Sequence, residues 1–533
     1  MPGELRSALA GVGERVESSS PLSGAAAARV EPAIPTPPAS AERRDKDGAA
    51  ATRVVRNSAL NLATQGLYSA LNLLLVYVLA GLGTEVFGQF YFFFALILMV
   101  QIIGELGATT ILTRRIVQTP EVWRETLAEA AGIFTLIAGG SFVAFLCVGV
   151  GGAWWRQNPE FLACGIAAGV ACAALQVQRF AGAVFQAFEL FRYDNLGKLL
   201  QIVVVTSLAA GAVRLQLVGV VGLLWLLAAS HVAAAIYMTA ALQYRWRCLR
   251  WRLWPSLIKS WLLESVPLAL GDMARGLSAQ LDTALVGLLQ PAAAVGIYSM
   301  AYRPLGPVYW LPRVVMQAAF PSFARLASVD REALGRAFSS SLRLMWLISL
   351  PMALCVCAYA RPVIAILAGP EFAAAAVPMR LLAWIVSLSF LSFQFRFVLT
   401  ALGRAQAYVR LAVPVLLLQV CLELAFISRW GYLGACAGLL VGEVTFAVAG
   451  LILCLRSGLG AIEWRPMAGG AFAAAAMGGV LWCARDAGLA WISLAAIVGL
   501  ALYVALCLAT RALRWSEVRQ FGDSLIGLVL VVK

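Results

Sequence analysis

Apolar stretches of about twenty residues recur through this chain from Asn57 to Arg511, and that recurrence constrains the fold more than any motif does. A helix rising ~1.5 Å per residue needs about twenty residues to cross a ~30 Å hydrocarbon core, where backbone polar groups must find partners within the chain. A membrane barrel would show alternating segments of about ten residues, and the sequence has none. Hydrophobic residues make up 61% of the chain and charged residues 13%, against roughly 25% charged in soluble domains. The expected fold class is all-α: a polytopic membrane protein of about fourteen transmembrane helices. The spans start near residues 57, 86, 127, 160, 196, 217, 262, 294, 338, 377, 407, 431, 467 and 489.

Residues 1–52, rich in Ala, Pro, Ser and Gly with almost no aromatics, cannot bury a core and are expected to form a disordered cytoplasmic tail. Residues 53–243 then form an N-terminal six-helix lobe, 244–261 a basic, Trp-rich cytoplasmic linker and 262–456 a C-terminal six-helix lobe. Residues 457–512 add two helices, and 513–533 a cytoplasmic tail. The lobes read as weak repeats: the turn Glu85 to Phe90 superimposes on Ala294 to Tyr298, and Gln186 to Phe188 on Thr400 to Leu402, at similar shifts. Two copies of an even-numbered unit insert with the same orientation and leave a substrate site between them.

The net charge of +14 does not point to nucleic acid, because the basic residues sit in short segments between apolar spans. Only Arg156, Arg214, Arg361, Arg429 and Arg485 fall in the alternate loops; the opposite side carries nearly five times as many, which places both termini in the cytoplasm. In the linker, Trp246, Trp251, Trp254 and Trp261 interleave with Arg245, Arg247, Arg250 and Arg252. That pattern suits an anchor at the headgroup level or a docking site for a partner enzyme. The eleven cysteines form no CxxC pair and the single histidine, His231, has no partners in sequence, so neither a metal set nor a cofactor is expected.

The chain resembles the polysaccharide flippases of the multidrug, oligosaccharidyl-lipid and polysaccharide exporter superfamily. The residues that carry the resemblance are Arg56 Asn57 with the Gly83, Glu85, Gly88 turn; Gly104 to Gly107 with Arg114; and QLDTALVGLLQPAAAVGIYSMAYRPLGPVYW followed by Phe320, Pro321 and Leu326. LAGPEFAAAAVPMRLLAW from Leu367 and ALGRAQAYVRLA from Ala401 extend it. The resemblance implies translocation of undecaprenyl-diphosphate-linked oligosaccharide across a bacterial inner membrane by alternating access, beside the polymerase and glycosyltransferases of a surface-polysaccharide pathway. The long tail before Arg53 departs from the compact start of that family. A lipid II flippase or a multidrug/cation exporter of the same superfamily is the alternative. A membrane-embedded polymerase or ligase is the remote one, since outer loops are short and no catalytic set is present.

Candidate site residues follow from charges inside apolar spans. Arg179, Arg275, Arg303, Arg313, Arg380 and Arg396 would each cost at least ~2.5–3.5 kcal/mol facing lipid at mid-bilayer. They either line a basic chamber for a diphosphate or, Arg313 and Arg380 especially, snorkel to headgroups. Asp272, Arg275 and Asp282 share one face of the seventh span. Asp272 and Arg275 are near enough to neutralise each other, and Asp282 is the candidate for coupling to a proton or cation. Glu105, Glu423 and Glu443 are weaker candidates, Glu443 as a residue of the interface. Pro304, Pro307 and Pro312 are expected to kink the eighth span.

Overall fold

The computed structural model describes residues 43–215, 219–246, 255–460, 462–485 and 488–513, and every regular element among them is helical. The first half contains α1 (Arg43–Ala80), α2 (Gly83–Glu105), α3 (Ala108–Gln118), α4 (Trp123–Arg156), α5 (Glu160–Ala187), α6 (Phe191–Arg214) and α7 (Val220–Trp246). The second contains α8 (Pro255–Leu289), α9 (Ala292–Tyr302), α10 (Gly306–Val329), α11 (Arg331–Ala368), α12 (Ala376–Ala401), α13 (Ala405–Trp430) and α14 (Tyr432–Arg456). Two further helices follow, α15 (Trp464–Cys483) and α16 (Leu489–Ala509). The chain divides into two units, residues 1–54 and 55–533. The first contributes only the start of α1 to the described residues. That helix begins within the segment expected to be a disordered tail, where the Ala49–Ala51 run favours helix.

Thirteen of the fourteen expected spans each correspond to one helix and the eighth to the α9–α10 stretch; twelve helices among the described residues are long and apolar enough to cross a membrane. The other two are α8, interrupted by Asp272, Arg275 and Asp282, and the α9–α10 stretch, broken by a 3₁₀ turn at Arg303–Leu305. The break falls where Pro304 and Pro307 withdraw backbone donors, as expected, whereas Pro312 lies inside α10. Unforeseen from the apolar pattern is α3. Two successive residues with positive φ, Leu106 at 41° and Gly107 at 76°, end α2 and start it.

Helix starts recur between the halves. Gly83 of α2 and Ala292 of α9 lie 209 residues apart, Trp123 of α4 and Arg331 of α11 208, and Val220 of α7 and Tyr432 of α14 212. In the first half α5 packs against α4 and α7; in the second α12 lies between α11 and α14. The pair α15–α16 packs on α11 through Leu347, Leu350, Met477 and Tyr503, whose hydroxyl donates to the Leu347 carbonyl at 2.7 Å.

The halves meet along α2, which packs on both α8 and α9. The end bearing most of the Lys and Arg is called the inner end. Near the outer end the backbones of α2 and α9 are in direct contact: a Cβ on Gly88 would collide with the Ala292 carbonyl oxygen, and one on Gly296 with that of Thr84. Phe87 packs on Phe372 at 5.3 Å, and Arg156 Nη2 donates to the Gly287 carbonyl at 2.9 Å. At the inner end Gly107 abuts Ala269, and Arg115 lies 4.6 Å over the Trp261 ring.

Two of the linker tryptophans are packed against helices. Trp261 is buried with Ile111 and Leu112 of α3, and Trp246 lies 4.8 Å from Phe188. The helix α3 supplies apolar surface for Trp261, while Trp246 packs on Trp123 of α4 and Phe185 of α5. Trp251 and Trp254 lie outside the described residues.

The glycine crossing yields a test. Gly296→Val should destabilise the folded state by about 1–3 kcal/mol through overpacking, measured by thermal unfolding in detergent. Gly139→Ala, at an open helix position, should be neutral or slightly stabilising. Equal unfolding temperatures for wild type and Gly296→Val would show that the contact is not tight.

Candidate functional site

Between the halves, charged and aromatic side chains form successive tiers. The inner tier holds Arg179, Arg313 and Arg396. Arg179 stands eight residues before the end of α5 and Arg396 five before the end of α12, about 12 and 8 Å from those ends. Arg179 grips Glu105 bidentately, Nε to Oε2 and Nη2 to Oε1, both at 3.0 Å. Glu105 also accepts from Gln101 Nε2 at 2.6 Å and from the Thr109 hydroxyl. Arg396 Nη2 meets Asp272 Oδ2 at 2.8 Å, and both side chains are nearly half exposed. Arg313 is exposed and within electrostatic reach of Arg396, Asp272 and Arg179, so this tier spans both halves with like charges facing across the junction.

The middle tier is aromatic. Arg275 Nη1 contacts Glu443 Oε2 at 2.9 Å and Nη2 contacts Oε1 at 3.4 Å, with the guanidinium 4.4 Å over the Phe446 ring. Arg303, in the 3₁₀ turn, reaches into the other half, its guanidinium 4.1 Å over Tyr91 and 5.2 Å over Phe94. No carboxylate pairs with it among the described residues, and its buried Nε has no hydrogen-bond partner. A ring quadrupole attracts the cation without saturating its donors, so Arg303 retains capacity for an anion. Tyr302 donates to Tyr309 at 3.4 Å, and their rings stack at 5.8 Å beside it.

Nearer the outer end, Asp282 is fully buried in α8. It accepts from the Tyr298 hydroxyl at 2.5 Å and the Thr283 backbone N–H at 2.6 Å. Glu423 of α13 is also fully buried; Gln419 Nε2 donates to its Oε1 at 2.7 Å, while Oε2 has no partner.

In the inner and middle tiers five arginines therefore stand against three carboxylates, Glu105, Asp272 and Glu443, while Asp282 and Glu423 lie beyond them toward the outer end. Asp272 and Arg275, which share a helix face, each pair with another helix, because interhelical partners give closer geometry than an i, i+3 neighbour. Glu443, read as an interfacial residue, is 5% exposed and holds Arg275. Its spacing beside Gly442 carried no sign of that partner. The Tyr91–Tyr302–Tyr309 surround was also missed, although tyrosines flanking the Arg303–Pro304 break were a usable signal. Arg380 lies apart, near the outer start of α12, with Nε donating to the Cys357 carbonyl at 3.3 Å. His231 is a packed helix residue, held by Gln178 at its carbonyl oxygen and ring Nδ1, at 2.6 and 3.1 Å.

Apolar helices in two related halves around guanidinium groups define a polytopic membrane protein. Solved structures share this fold. The lipid II flippase MurJ in an inward closed conformation aligns with a TM-score of 0.71 at 10% identity, over 84% of this chain and 97% of that one. An inward-facing multidrug resistance MATE family transporter of the MOP superfamily aligns at 0.59 and 14%, over 73% and 94%. An outward-facing MATE family transporter of that superfamily gives 0.52 and 16%, over 76% and 94%. At these identities the likeness is one of fold. No curated protein sequence matches the chain. The chain belongs to the family of polysaccharide biosynthesis proteins, which it matches over residues 54–327.

The Arg275–Glu443 pair can be tested on its own. Glu443→Gln should lower stability by about 3–5 kcal/mol by leaving a desolvated cation without its counter-ion. Combining it with Arg275→Gln should recover much of that loss, read by thermal unfolding. A double variant no more stable than Glu443→Gln alone would count against mutual neutralisation.

Proposed function

We propose that this protein is a flippase that carries undecaprenyl-diphosphate-linked oligosaccharide from the cytoplasmic to the outer leaflet of a bacterial inner membrane, for surface-polysaccharide assembly. The observation that carries the reading is the excess of arginine over carboxylate in the inner and middle tiers, five against three, in a member of a polysaccharide biosynthesis family. Guanidinium groups bind phosphate oxygens bidentately and shed water more readily than ammonium. A cation exporter would instead concentrate negative charge in its cavity.

In this mechanism the diphosphate enters at the inner tier, where Arg396, Arg313 and Arg179 are accessible, and exchanges places with Asp272 and Glu105 as their partner. Arg303 and Arg275 receive it next. The lipid tail stays in the bilayer while the two halves rock, with α8 and α9–α10 as the seventh and eighth crossings and both termini in the cytoplasm. Breaking the Arg156–Gly287 contact and the α2–α9 crossing opens the outer end. Asp282, beside Glu423, couples the cycle to a proton or cation. Polymerase and glycosyltransferases of the pathway are the expected partners.

Charge supplies a driving force. Moving about two negative charges outward across an interior-negative potential of ~150 mV is favourable by roughly 7 kcal/mol. In nucleotide-free vesicles, collapsing the potential with ion gradients clamped should therefore slow outward flipping of the lipid-linked oligosaccharide. An unchanged rate would reject charge movement as the drive.

The combined Arg313→Gln, Arg396→Gln variant should insert normally yet flip at least about tenfold more slowly, each lost charge-assisted contact being worth ~1.5–3 kcal/mol. Undiminished flipping would sink the diphosphate role. Lipid II offered in parallel separates the two flippase readings, since both substrates share the diphosphate and differ in sugar. Asp282→Asn should retain substrate binding and lose the response to an imposed pH or ion gradient; a full response would make Asp282 structural.

A further inference from the structure

Away from the junction, a second cluster of arginines surrounds a cavity of about 1150 Å³ at the inner end of α11, α15 and α16. Arg343 of α11, Arg465 at the start of α15 and Arg511 just past α16 line it with Glu463, Trp464 and Ile462. Arg343 is the buried element, its side chain 7% exposed and Nη1 3.9 Å from Glu463 Oε2. Arg465 and Arg511 are exposed at the rim, as is Trp464.

The surroundings fix these groups in place. Trp346 Nε1 donates to the Met467 carbonyl at 3.1 Å, tying α11 to the first turn of α15. The Glu463 backbone N–H donates to Ser339 Oγ at 3.3 Å. The Glu463 side chain makes no capping bond, so the N-terminus of α15 adds its partial positive charge to the three arginines. Against one carboxylate the cavity is net cationic.

We propose that this cavity binds the phosphate headgroup of an anionic phospholipid in the inner leaflet. Three features favour a lipid over a soluble anion. The cavity lies where spans end, at the headgroup level; basic pockets between spans on that side are suited to anionic headgroups. An exposed tryptophan at its rim belongs at a membrane interface. Ile462, Leu508 and Leu513 add an apolar wall fit for the glycerol and upper acyl chain. The site is separate from the arginines between the halves, so the proposal does not depend on the transported substrate.

The test is native mass spectrometry of the full chain released from micelles containing phosphatidylglycerol and phosphatidylcholine. Wild type should retain phosphatidylglycerol preferentially. Each arginine near an anionic surface is worth about fivefold in affinity, so Arg465→Gln combined with Arg511→Gln should reduce that preference by about twenty-fivefold. Both residues are exposed, and the variant's unfolding temperature should match wild type. Glu463→Gln, which raises the cavity's charge, should strengthen the preference several-fold. An unchanged preference in either variant overturns the proposal. Millimolar inorganic phosphate should leave the lipid adduct in place; if it strips the adduct, the cavity is a site for free phosphate and the lipid assignment fails.

Discussion

Pairing of guanidinium with carboxylate across helices is the interaction on which the interior depends. A charge inside an apolar bundle needs a partner or water, and Arg179, Arg275 and Arg396 each find a carboxylate on another helix. These pairs tie α2 to α5, α8 to α14 and α8 to α12 at defined heights. The first lies within the first half and the other two within the second, so they brace the halves separately. Contacts between halves are of another kind: Arg303 over aromatic rings, glycine backbones in contact, and a guanidinium on a carbonyl. Rigid halves joined by weaker, non-ionic contacts are a workable basis for rigid-body rocking.

Segregation of charge by depth gives the interior a direction. Half-exposed arginines stand near the inner end, an arginine on aromatic rings near the middle, and two buried carboxyls toward the outer end. An anion moving outward leaves guanidinium groups that have their own counter-ions and approaches acidic ones that repel it. Under the proposed mechanism, Asp272 and Glu105 would reclaim their arginines behind the departing substrate and so oppose its return.

Much of the architecture was legible in the sequence because solvent dictates it. Spans are set by hydrocarbon thickness, and twelve of the fourteen expected starts fall inside helices, with a thirteenth at the α13–α14 turn. What escaped depends on tertiary partners. The helix α3 has an ordinary amphipathic composition and announces itself only through the Leu106–Gly107 reversal; once present, it buries Trp261, which composition alone placed among headgroups. The arginines were visible as charges in apolar surroundings, but their partners were not. Glu443 lies 168 residues from Arg275, and no local spacing encodes such a pairing. Asp282 was visible as an acid lacking a cation nearby in its own helix, but its bond to Tyr298 depends on the α8–α9 turn folding back.

The position of the glycine crossing gives it mechanical advantage. Gly88 lies near the outer end of α2, and Glu105 stands seventeen residues farther along the helix, a lever arm of about 25 Å. Turning the first half by roughly 10° about that fulcrum sweeps Glu105, with the Arg179 it is paired to, through about 4 Å relative to the second half. Because the fulcrum consists of backbone with no side chains to interlock, it can pivot without exchanging rotamers, and a small angular change at one face of the membrane becomes a large displacement at the other.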